Sequence, residues 1–273
     1  MRLRIEHKTI YRYSAPVFPE PHHLFFYPDH RPHLQLIHFQ LDVVPTPSGL
    51  ALRVDAENNT YHQCWFDGVI NAMQIEVKME VESKEFNFLD FIVEGKPKTD
   101  YQAVLQLYRD SSAPLTPEIR VWIQQLKAGA NGSPVNFIAL LCAEIRKGWT
   151  HAISYETDLV NPASCFESRT GSCRDLSWMM MEILRDQKIP ARFVSGYCHN
   201  PELEGGHELH AWVEAWVAGA GWIGADPSSG LLTTAGYVPV AASYHPVNTL
   251  PVQGSYRGDA VSTLETSVHI EVG

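Results

Sequence analysis

Hydrophobic and polar residues alternate with a period of two along the first third of the chain. The longest such run covers residues 73–82, where one face is apolar and the other is charged. Residues 34–44 and 50–66 predict further strands, and residues 57–59 (Glu-Asn-Asn) predict a hairpin turn inside the second stretch. Such alternation is typical of strands that cover a core with one face. It therefore predicts an antiparallel β-sandwich or barrel.

The spacing of apolar residues becomes helical after a polar stretch at residues 94–100. Thr116-Pro117 and Ser133-Pro134 each place an N-cap residue before a proline that can begin a helix. Both pairs therefore predict the start of a helix.

Strand patterns return towards the end of the chain, at residues 192–198, 209–217 and 222–226. Helices that pack on an antiparallel sheet form an α+β fold. We therefore predict an N-terminal β-domain at residues 1–95 and a second, α+β domain at residues 96–273.

A cysteine stands at the start of one predicted helix. Cys173 follows Gly171-Ser172 and precedes an amphipathic stretch. The apolar stripe of that stretch consists of Leu176, Met179, Met180, Ile183 and Leu184. The first turn of a helix presents unpaired N–H groups and the positive end of the helix dipole, and both favour a thiolate over a thiol. Cys173 is therefore the candidate nucleophile.

The other four cysteines lack this setting. Cys142 lies in the apolar run at residues 137–143, and we predict that it is a core residue. The same prediction applies to Cys64 and Cys165, because cysteine is among the most often buried residue types. Cys198 stands at a predicted strand end, and its role stays open.

Two further residues have the chemistry to assist a cysteine nucleophile. His210 shares one face of a predicted strand with Trp212 and Trp216, and Asp226 ends the next strand. A hairpin centred on Ala218 places His210 opposite Asp226, with Cβ atoms about 5 Å apart. The alternative is a lone strand histidine beside a strand-end aspartate that caps the following turn, at residues 227–230. A register slip of one residue would also separate the two groups.

Spaced motifs around these residues resemble the bacterial transglutaminase-like cysteine peptidase family of the transglutaminase-like superfamily. The motifs of the second domain are GSCRD at 171–175, IPARFVSGY at 189–197, HAWVE at 210–214 and WIGADP at 222–227. HKTIYRY at 7–13 resembles the N-terminal β-domain found with these enzymes, and GSYRG at 254–258 resembles the closing motif of the family. The resemblance therefore covers nearly the whole chain.

The resemblance implies a papain/transglutaminase-like catalytic domain in which Cys173 is the nucleophile, His210 the general base and acid, and Asp226 the orienter of His210. The implied reaction is thiol-dependent acyl transfer through a thioester on Cys173, and we expect hydrolysis of a peptide or other amide bond. Transamidation of a protein glutamine to an amine acceptor is one alternative, and a non-catalytic binding module on the same fold is another. Arg174 departs from the family, since many relatives carry glutamine there, and it places a cation beside the nucleophile.

Attack on a carbonyl group creates an oxyanion that needs N–H donors. The backbone N–H of Cys173 is a natural donor, because it lies at a helix N-terminus. Trp149, His151 and Tyr155 lie upstream, and each could supply a second donor. Aromatic residues in such a place more often serve packing.

Charge, hydropathy and cysteine content indicate which classes of binding partner and which cellular compartment to expect. The formal net charge of −10 argues against nucleic acid and anionic membranes as partners. The longest apolar run is too short to span a bilayer, and the first residues lack the apolar run of a signal peptide. Five irregularly spaced cysteines make a poor disulfide framework. We expect a cytoplasmic protein that acts on a peptide or amide-containing substrate without a cofactor or metal; its oligomeric state stays open.

A zinc site is the rival interpretation of the histidines. His199, His207 and His210 lie near Cys198 in the sequence, and both residue types bind zinc. However, the spacing of His207 and His210 differs from that of a His-Glu-x-x-His motif, and the segment that follows is predicted to be a strand. The pattern of cysteine, histidine and aspartate is therefore preferred.

Overall fold

The computed structural model describes residues 1–87, 89–92, 99–111, 113–152, 158–199 and 209–273. The helices are α1 (Thr99–Gln106), α2 (Pro117–Gly129), α3 (Pro134–Gly148), α4 (Pro162–Ser168) and α5 (Cys173–Asp186), with a 3-10 helix at Pro246–Thr249. The first strands are β1 (Arg2–Pro19), β2 (His22–Leu24), β3 (Leu34–Val44), β4 (Gly49–Val54), β5 (Thr60–Trp65), β6 (Ile70–Ser83), β7 (Thr150–His151) and β8 (Thr170–Gly171). The later strands are β9 (Ala191–Cys198), β10 (Leu209–Val217), β11 (Gly221–Asp226), β12 (Leu231–Leu232), β13 (Tyr237–Ser243), β14 (Val252–Gln253), β15 (Tyr256–Arg257) and β16 (Ser262–Val272). Within the described ranges, no helix is long and apolar enough to cross a membrane.

Two antiparallel sheets form the N-terminal part of the molecule. The first has the strand order β15-β1-β6-β3, and β16 also pairs with β1. The second has the order β14-β2-β5-β4. The predicted turn joins β4 to β5, and Asn58 in that turn adopts a left-handed φ of 67°. The prediction of an N-terminal antiparallel β-domain is confirmed.

The last strand of the chain belongs to the first sheet. β16 runs antiparallel to β1, from Leu3 opposite Val272 to Tyr13 opposite Ser262. Both ends of the chain therefore share one sheet. The predicted division between residues 95 and 96 stays a prediction, since residues 93–98 lie outside the described ranges.

A third antiparallel sheet, of order β12-β11-β10-β9-β13, lies between two hydrophobic cores. On one face, Val213 of β10 shares a core with Met179 of α5 and with residues of α2 and α3. On the other face, Tyr197 and Val238 belong to the core of the N-terminal sheets. Helices thus pack on an antiparallel sheet, and the prediction of an α+β fold is confirmed.

The two helix starts predicted from Thr-Pro and Ser-Pro pairs are confirmed. α2 begins at Pro117 after Thr116, whose side chain accepts a hydrogen bond from the backbone N–H of Ile119. α3 begins at Pro134 after Ser133, whose side chain likewise caps the first turn. Each cap satisfies an N–H group that has no acceptor inside its helix.

The predicted register between β10 and β11 is wrong by two residues. Trp216 lies opposite Trp222, and Val217 lies opposite Gly221. The predicted hairpin has Ala218 as its only unpaired residue. In the structure the loop between the paired residues has three residues, and Gly221, which follows it, has a left-handed φ of 79°. Because side chains alternate with a period of two, this even shift leaves every side chain on its predicted face.

Candidate active site

Helix α5 begins at the cysteine that the sequence singles out. Ser172 is the N-cap of α5, and its side chain accepts a hydrogen bond from the backbone N–H of Asp175. The carboxylate of Asp175 in turn accepts hydrogen bonds from the backbone N–H of Ser172 at 2.8 Å and from its hydroxyl at 2.7 Å. This reciprocal capping box fixes the first turn and leaves Cys173 as the first helical residue.

The segment before α5 packs too closely for a side chain at Gly171. A Cβ atom there would lie 3.0 Å from Sγ of Cys165 and 3.0 Å from Cβ of Asp175. The same carboxylate accepts a hydrogen bond from the backbone N–H of Val160 at 2.8 Å, which ties the preceding segment to the helix. Local packing and capping together hold the cysteine in place.

The direction of the thiol pKa shift separates Cys173 from the other cysteines. Cys64, Cys142 and Cys165 are buried, as predicted, and burial raises their thiol pKa values, to about 11 for Cys64 and about 12 for Cys165. Burial also raises the pKa of Cys198. Cys173 is partly exposed, and its thiol is the only one of the five whose pKa is lowered.

Two imidazoles lower the pKa of Cys173. Burial acts to raise it, but hydrogen bonds from His151 and His210, together with the charges of these two rings, bring it down to about 6. The thiolate is therefore stabilised by the two histidines. At neutral pH the sulfur is therefore mainly a thiolate.

His210 and Asp226 lie in direct contact. Nε2 of His210 is 2.9 Å from Oδ2 of Asp226, so Nδ1 is the ring nitrogen left for the sulfur of Cys173. Burial acts to lower the pKa of His210, but the charge of Asp226 and the hydrogen bonds with Asp226 and Cys173 raise it well above its usual value. His210 can therefore carry a proton while Cys173 is ionised.

Asp226 is held ionised by its neighbours. Its exposed fraction is 2%, and burial alone would raise its pKa. The charge of His210 and the hydrogen bonds from His210, Ser228 and Tyr237 instead hold the pKa of this carboxyl well below its usual range. Oδ1 accepts from the backbone N–H of Ser228 at 2.9 Å and from its hydroxyl at 2.5 Å, while Oδ2 accepts from the hydroxyl of Tyr237 at 2.8 Å.

The structure brings together the three residues that the sequence predicted as a site, Cys173, His210 and Asp226. Tyr237 was missed, because its strand is buried along its whole length and its sequence does not indicate a face. Ser228 could have been found from its place two residues after the aspartate, which is typical of a side chain–backbone turn.

The three upstream donor candidates have different surroundings. Nε1 of Trp149 donates to the carbonyl oxygen of Cys165 at 2.9 Å, so its N–H is already used in packing. His151 contacts the side chain of Cys173. Tyr155 lies outside the described residues.

The histidines proposed as zinc ligands do not gather into a metal centre in the described ranges. Among those residues, no group of three or more His, Cys, Asp or Glu side chains could hold a metal ion. His207 lies outside the described residues. Nε2 of His210 contacts a carboxylate and its ring also hydrogen-bonds Cys173, which favours acid–base chemistry.

A cavity of about 290 Å³ lies on the face of the third sheet that carries His210. Trp212, Trp216 and Trp222 contribute to its lining, and Trp212 is only 1% exposed and is a core residue. Glu214, at the same cavity, is bound by Arg31 and therefore does not offer a free carboxylate. The three tryptophans therefore contribute both to core packing and to the lining of a partly open cavity.

Two family models match separate parts of the chain. Residues 3–82 match the bacterial transglutaminase-like N-terminal region, and residues 124–227 match the transglutaminase-like superfamily. The second match contains Cys173, His210 and Asp226. A solved structure from Cytophaga hutchinsonii, of a candidate cysteine protease, has the same fold, with a TM-score of 0.75 over 99% of this chain and 90% of that chain at 16% identity.

Curated relatives match shorter segments. An uncharacterized protein of Mycobacterium leprae is 32% identical over 107 residues, which is 37% of this chain and 37% of that protein. The protein-glutamine gamma-glutamyltransferase of Pseudomonas aeruginosa is 37% identical over 70 residues, which is 23% of this chain and 10% of that enzyme. The chain therefore spans well under two thirds of the length of these relatives.

Proposed function

Because the chain belongs to the transglutaminase-like superfamily, we propose that it catalyses thiol-dependent acyl transfer through a thioester on Cys173. We propose hydrolysis of a peptide or other amide bond as the reaction. The main support is geometric: Cys173 is the first residue of α5 and its sulfur contacts His210, whose Nε2 lies 2.9 Å from Oδ2 of Asp226. The lowered pKa of Cys173 and the raised pKa of His210 agree with this arrangement. A thiolate and an imidazolium in contact form the reactive pair of a cysteine nucleophile.

The first half-reaction forms the thioester. The lone pair of the Cys173 sulfur attacks the carbonyl carbon, and the π electrons of the carbonyl move to its oxygen. When the intermediate collapses, the C–N bond breaks and the leaving amine takes the proton of His210. The raised pKa of His210 means that this proton is present at neutral pH.

The second half-reaction regenerates the thiolate. Neutral His210 takes a proton from water, the resulting hydroxide attacks the thioester, and collapse releases the acid and the sulfur. Asp226 holds the imidazole through Nε2 and stabilises its positive charge in both halves. Its position at the start of α5 supports the backbone N–H of Cys173 as a donor to the oxyanion.

Transamidation is the second candidate function. The relative from Pseudomonas aeruginosa is named a protein-glutamine gamma-glutamyltransferase, and its match to this chain covers 70 residues. In that reaction an amine instead of water resolves the same thioester, so the triad by itself does not decide between the two outcomes.

Trapping of the acyl-enzyme tests the proposed function. We expect p-nitrophenyl acetate to add one acetyl group to Cys173 of the wild type, detected by peptide mass spectrometry. Cys173→Ser should not acylate, whereas Cys142→Ser should behave as the wild type. Cys142 is a suitable control because its thiol donates to the carbonyl oxygen of Leu231, an acceptor that a serine hydroxyl can also use.

The fate of the thioester decides between the two reactions. With a glutamine-containing peptide, we expect the deamidated peptide, in which glutamate replaces glutamine and ammonia is released, to dominate even when glycine amide is added at millimolar concentration. A product that is mainly the new amide would establish transamidation instead. A wild type that forms no acyl-enzyme with esters or amides would contradict catalysis and favour the binding module.

We also propose a reducing compartment, the cytoplasm, as the place where the protein acts. All five cysteines are free in the structure, and a thiol nucleophile needs reducing conditions to stay available. Fractionation of cells that express the natural gene with a C-terminal tag tests this location. Recovery of the protein from the periplasm or the medium would contradict it.

A further inference from the structure

A short parallel strand pair brings His151 to the nucleophile. In this pair β7 lies beside β8, and His151 is opposite Gly171, two residues before Cys173. The backbone N–H of Thr150 donates to the carbonyl oxygen of Arg169 at 2.8 Å, and that of Ala152 donates to the carbonyl oxygen of Gly171 at 2.9 Å. These bonds fix the backbone on both sides of His151.

An aromatic cluster anchors the residue before β7. Trp149 is 4% exposed and packs against Trp122 and Phe166, with ring centroids 5.3 and 5.4 Å away. The guanidinium of Arg169 lies over the Trp149 ring, 4.0 Å from its centroid. A buried tryptophan with two aromatic neighbours therefore anchors the strand that carries His151, while His151 itself is exposed.

Two imidazoles contact one sulfur atom, but only one of them is bound to the Asp226 carboxylate. His210 contacts Asp226 through Nε2, which suits it to exchange protons. His151 stands in β7, whereas His210 stands in β10. The two rings are therefore positioned for different tasks.

We propose that His151 is a further catalytic residue of this site, a side-chain N–H donor that binds the sulfur in the resting enzyme and the oxyanion during acylation. The proposal rests on the proposed function, since only acyl transfer creates an oxyanion. It supplies the second donor beside the backbone N–H of Cys173. Trp149, the neighbouring candidate, already donates its side-chain N–H to the backbone carbonyl oxygen of Cys165.

The movement of charge during attack explains how one donor can serve both states. In the resting site the negative charge is on the sulfur. As the C–S bond forms, the sulfur loses that charge and the π electrons of the carbonyl carry it to the oxygen, one atom beyond the carbon. A donor that lies beside the sulfur can follow the charge over that short distance. When the C–N bond breaks, the electrons return to the C–O bond and His210 gives its proton to the leaving amine.

A comparison of two reactions of the same sulfur isolates this contribution. Iodoacetamide alkylates Cys173 by direct displacement and develops no oxyanion, whereas p-nitrophenyl acetate acylates it through one. Both rates are measured under single-turnover conditions at a pH where Cys173 is fully ionised in each variant. The variants are His151→Ala, which removes the donor, and His151→Gln, which keeps an N–H. His269→Ala removes an exposed imidazole from the distant β16 and is the matched control.

We expect His151→Ala to lower the acylation rate by about 100-fold, as removal of one oxyanion donor does elsewhere, with an alkylation rate within about threefold of the wild type. His151→Gln should recover most of the lost acylation rate, and His269→Ala should match the wild type in both reactions. Circular dichroism and thermal unfolding should leave the three variants indistinguishable from the wild type, since His151 and His269 are exposed.

Two results would overturn the assignment of His151 while leaving the proposed function intact. Equal losses of acylation and alkylation in His151→Ala would mean that His151 acts on the thiolate alone. Unchanged acylation in His151→Ala, with an active wild type, would mean that it contributes nothing. A wild type that alkylates at Cys173 but never acylates would overturn the proposed function, and the role of His151 with it.

Discussion

The hydroxyl of Tyr237 lies 2.8 Å from Oδ2 of Asp226, the same oxygen that contacts His210 at 2.9 Å. Tyr237 stands in β13, at the far edge of the third sheet from the β11 strand that carries Asp226. This hydrogen bond therefore spans the sheet and fixes the direction in which the carboxylate faces the imidazole. In the proposed mechanism Asp226 orients His210, and we therefore propose that Tyr237 is a positioning residue for the base.

Tyr237→Phe should lower kcat by about tenfold with little change in KM, since the loss of a hydrogen bond to a charged group is worth about 1.5–3 kcal/mol and part of that loss reaches the transition state. Steady-state kinetics on an ester substrate measure both constants. Tyr256→Phe is the control, because the Tyr256 hydroxyl donates to the carbonyl oxygen of Ala260. Tyr256 stands in β15, which belongs to the first sheet and not to the sheet that carries the site. Equal kcat values for the two variants would remove Tyr237 from the positioning role.

A buried ion cluster joins the two parts of the chain. Glu214 in β10 contacts Arg31 of the N-terminal part at 2.8 Å and Arg192 in β9 at 2.6 Å. Burial acts to raise the pKa of Glu214, but the two guanidinium groups lower it. Glu214→Gln removes the carboxylate that both guanidinium groups share and leaves only Asp29, 3.1 Å from Arg31, to balance two buried cations, so we expect the free energy of unfolding to fall by about 3–5 kcal/mol.

Urea denaturation of Glu214→Gln and Glu265→Gln measures this loss. Glu265 pairs with Arg12 on the surface, where the two side chains are 62% and 57% exposed, so that variant should lose no more than about 1 kcal/mol. Similar losses in the two variants would show that the buried cluster contributes no more than a surface pair.

Gly196 has no room for a side chain. It lies opposite His210, and a Cβ atom there would be 2.2 Å from the carbonyl oxygen of Val238 and 2.7 Å from the Trp212 ring. Gly196→Ala should force β13 away from β9 and lower the free energy of unfolding by about 3 kcal/mol. A Cβ at Gly68 would meet nothing within 4 Å, so Gly68→Ala should stay within about 1 kcal/mol of the wild type. Thermal and chemical unfolding compare the two, and equal stabilities would contradict the close packing.

The buried imidazole of His7 should make the folded protein less stable in mild acid. Its Nδ1 lies 2.9 Å from the Tyr197 hydroxyl, and burial lowers its pKa from 6.5 to about 4. Above pH 6.5 the ring is neutral in both the folded and the unfolded chain, so it has no effect there. Between pH 6.5 and pH 4 only the unfolded chain takes up the proton, and stability should fall by about 3 kcal/mol over this window.

The difference between wild type and His7→Gln isolates the contribution of His7 from other groups that titrate in this range. We expect the variant to lose less stability than the wild type between pH 6.5 and pH 4, measured by urea denaturation at each pH. Parallel pH profiles for the two proteins would mean that His7 takes up its proton normally in the folded state.

Local signals in the sequence were sufficient for much of the fold. A Ser-x-x-Asp capping box and two cap-proline pairs determine where helices begin, since each acts within four residues. Alternation with a period of two placed His210 and Asp226 on one face even though the register was wrong by two residues. The face was predictable because it depends on parity, whereas the register depends on the geometry of a three-residue loop.

Contacts between distant segments left no such signal. Arg31 and Glu214 are 183 residues apart, and β1 finds β16 at the other end of the chain. A strand shows the same alternation of apolar and polar residues whichever strand it pairs with. Periodicity alone therefore does not identify the pairing partner. Tyr237 is hidden for a second reason, because a strand buried on both faces has no polar side to set its direction.

We propose that Cys173 and His210 form a thiolate–imidazolium pair. The pH dependence of alkylation by iodoacetamide measures it most directly, with peptide mass spectrometry to assign the site. Cys142 is the internal control, since burial raises its pKa. We expect Cys173 of the wild type to react with a midpoint near pH 6, and His210→Ala to move that midpoint upward while Cys142 stays unreactive at neutral pH. A midpoint near about 8.5 in the wild type, as in a free thiol, or a rate no greater than that of Cys142, would contradict the ion pair.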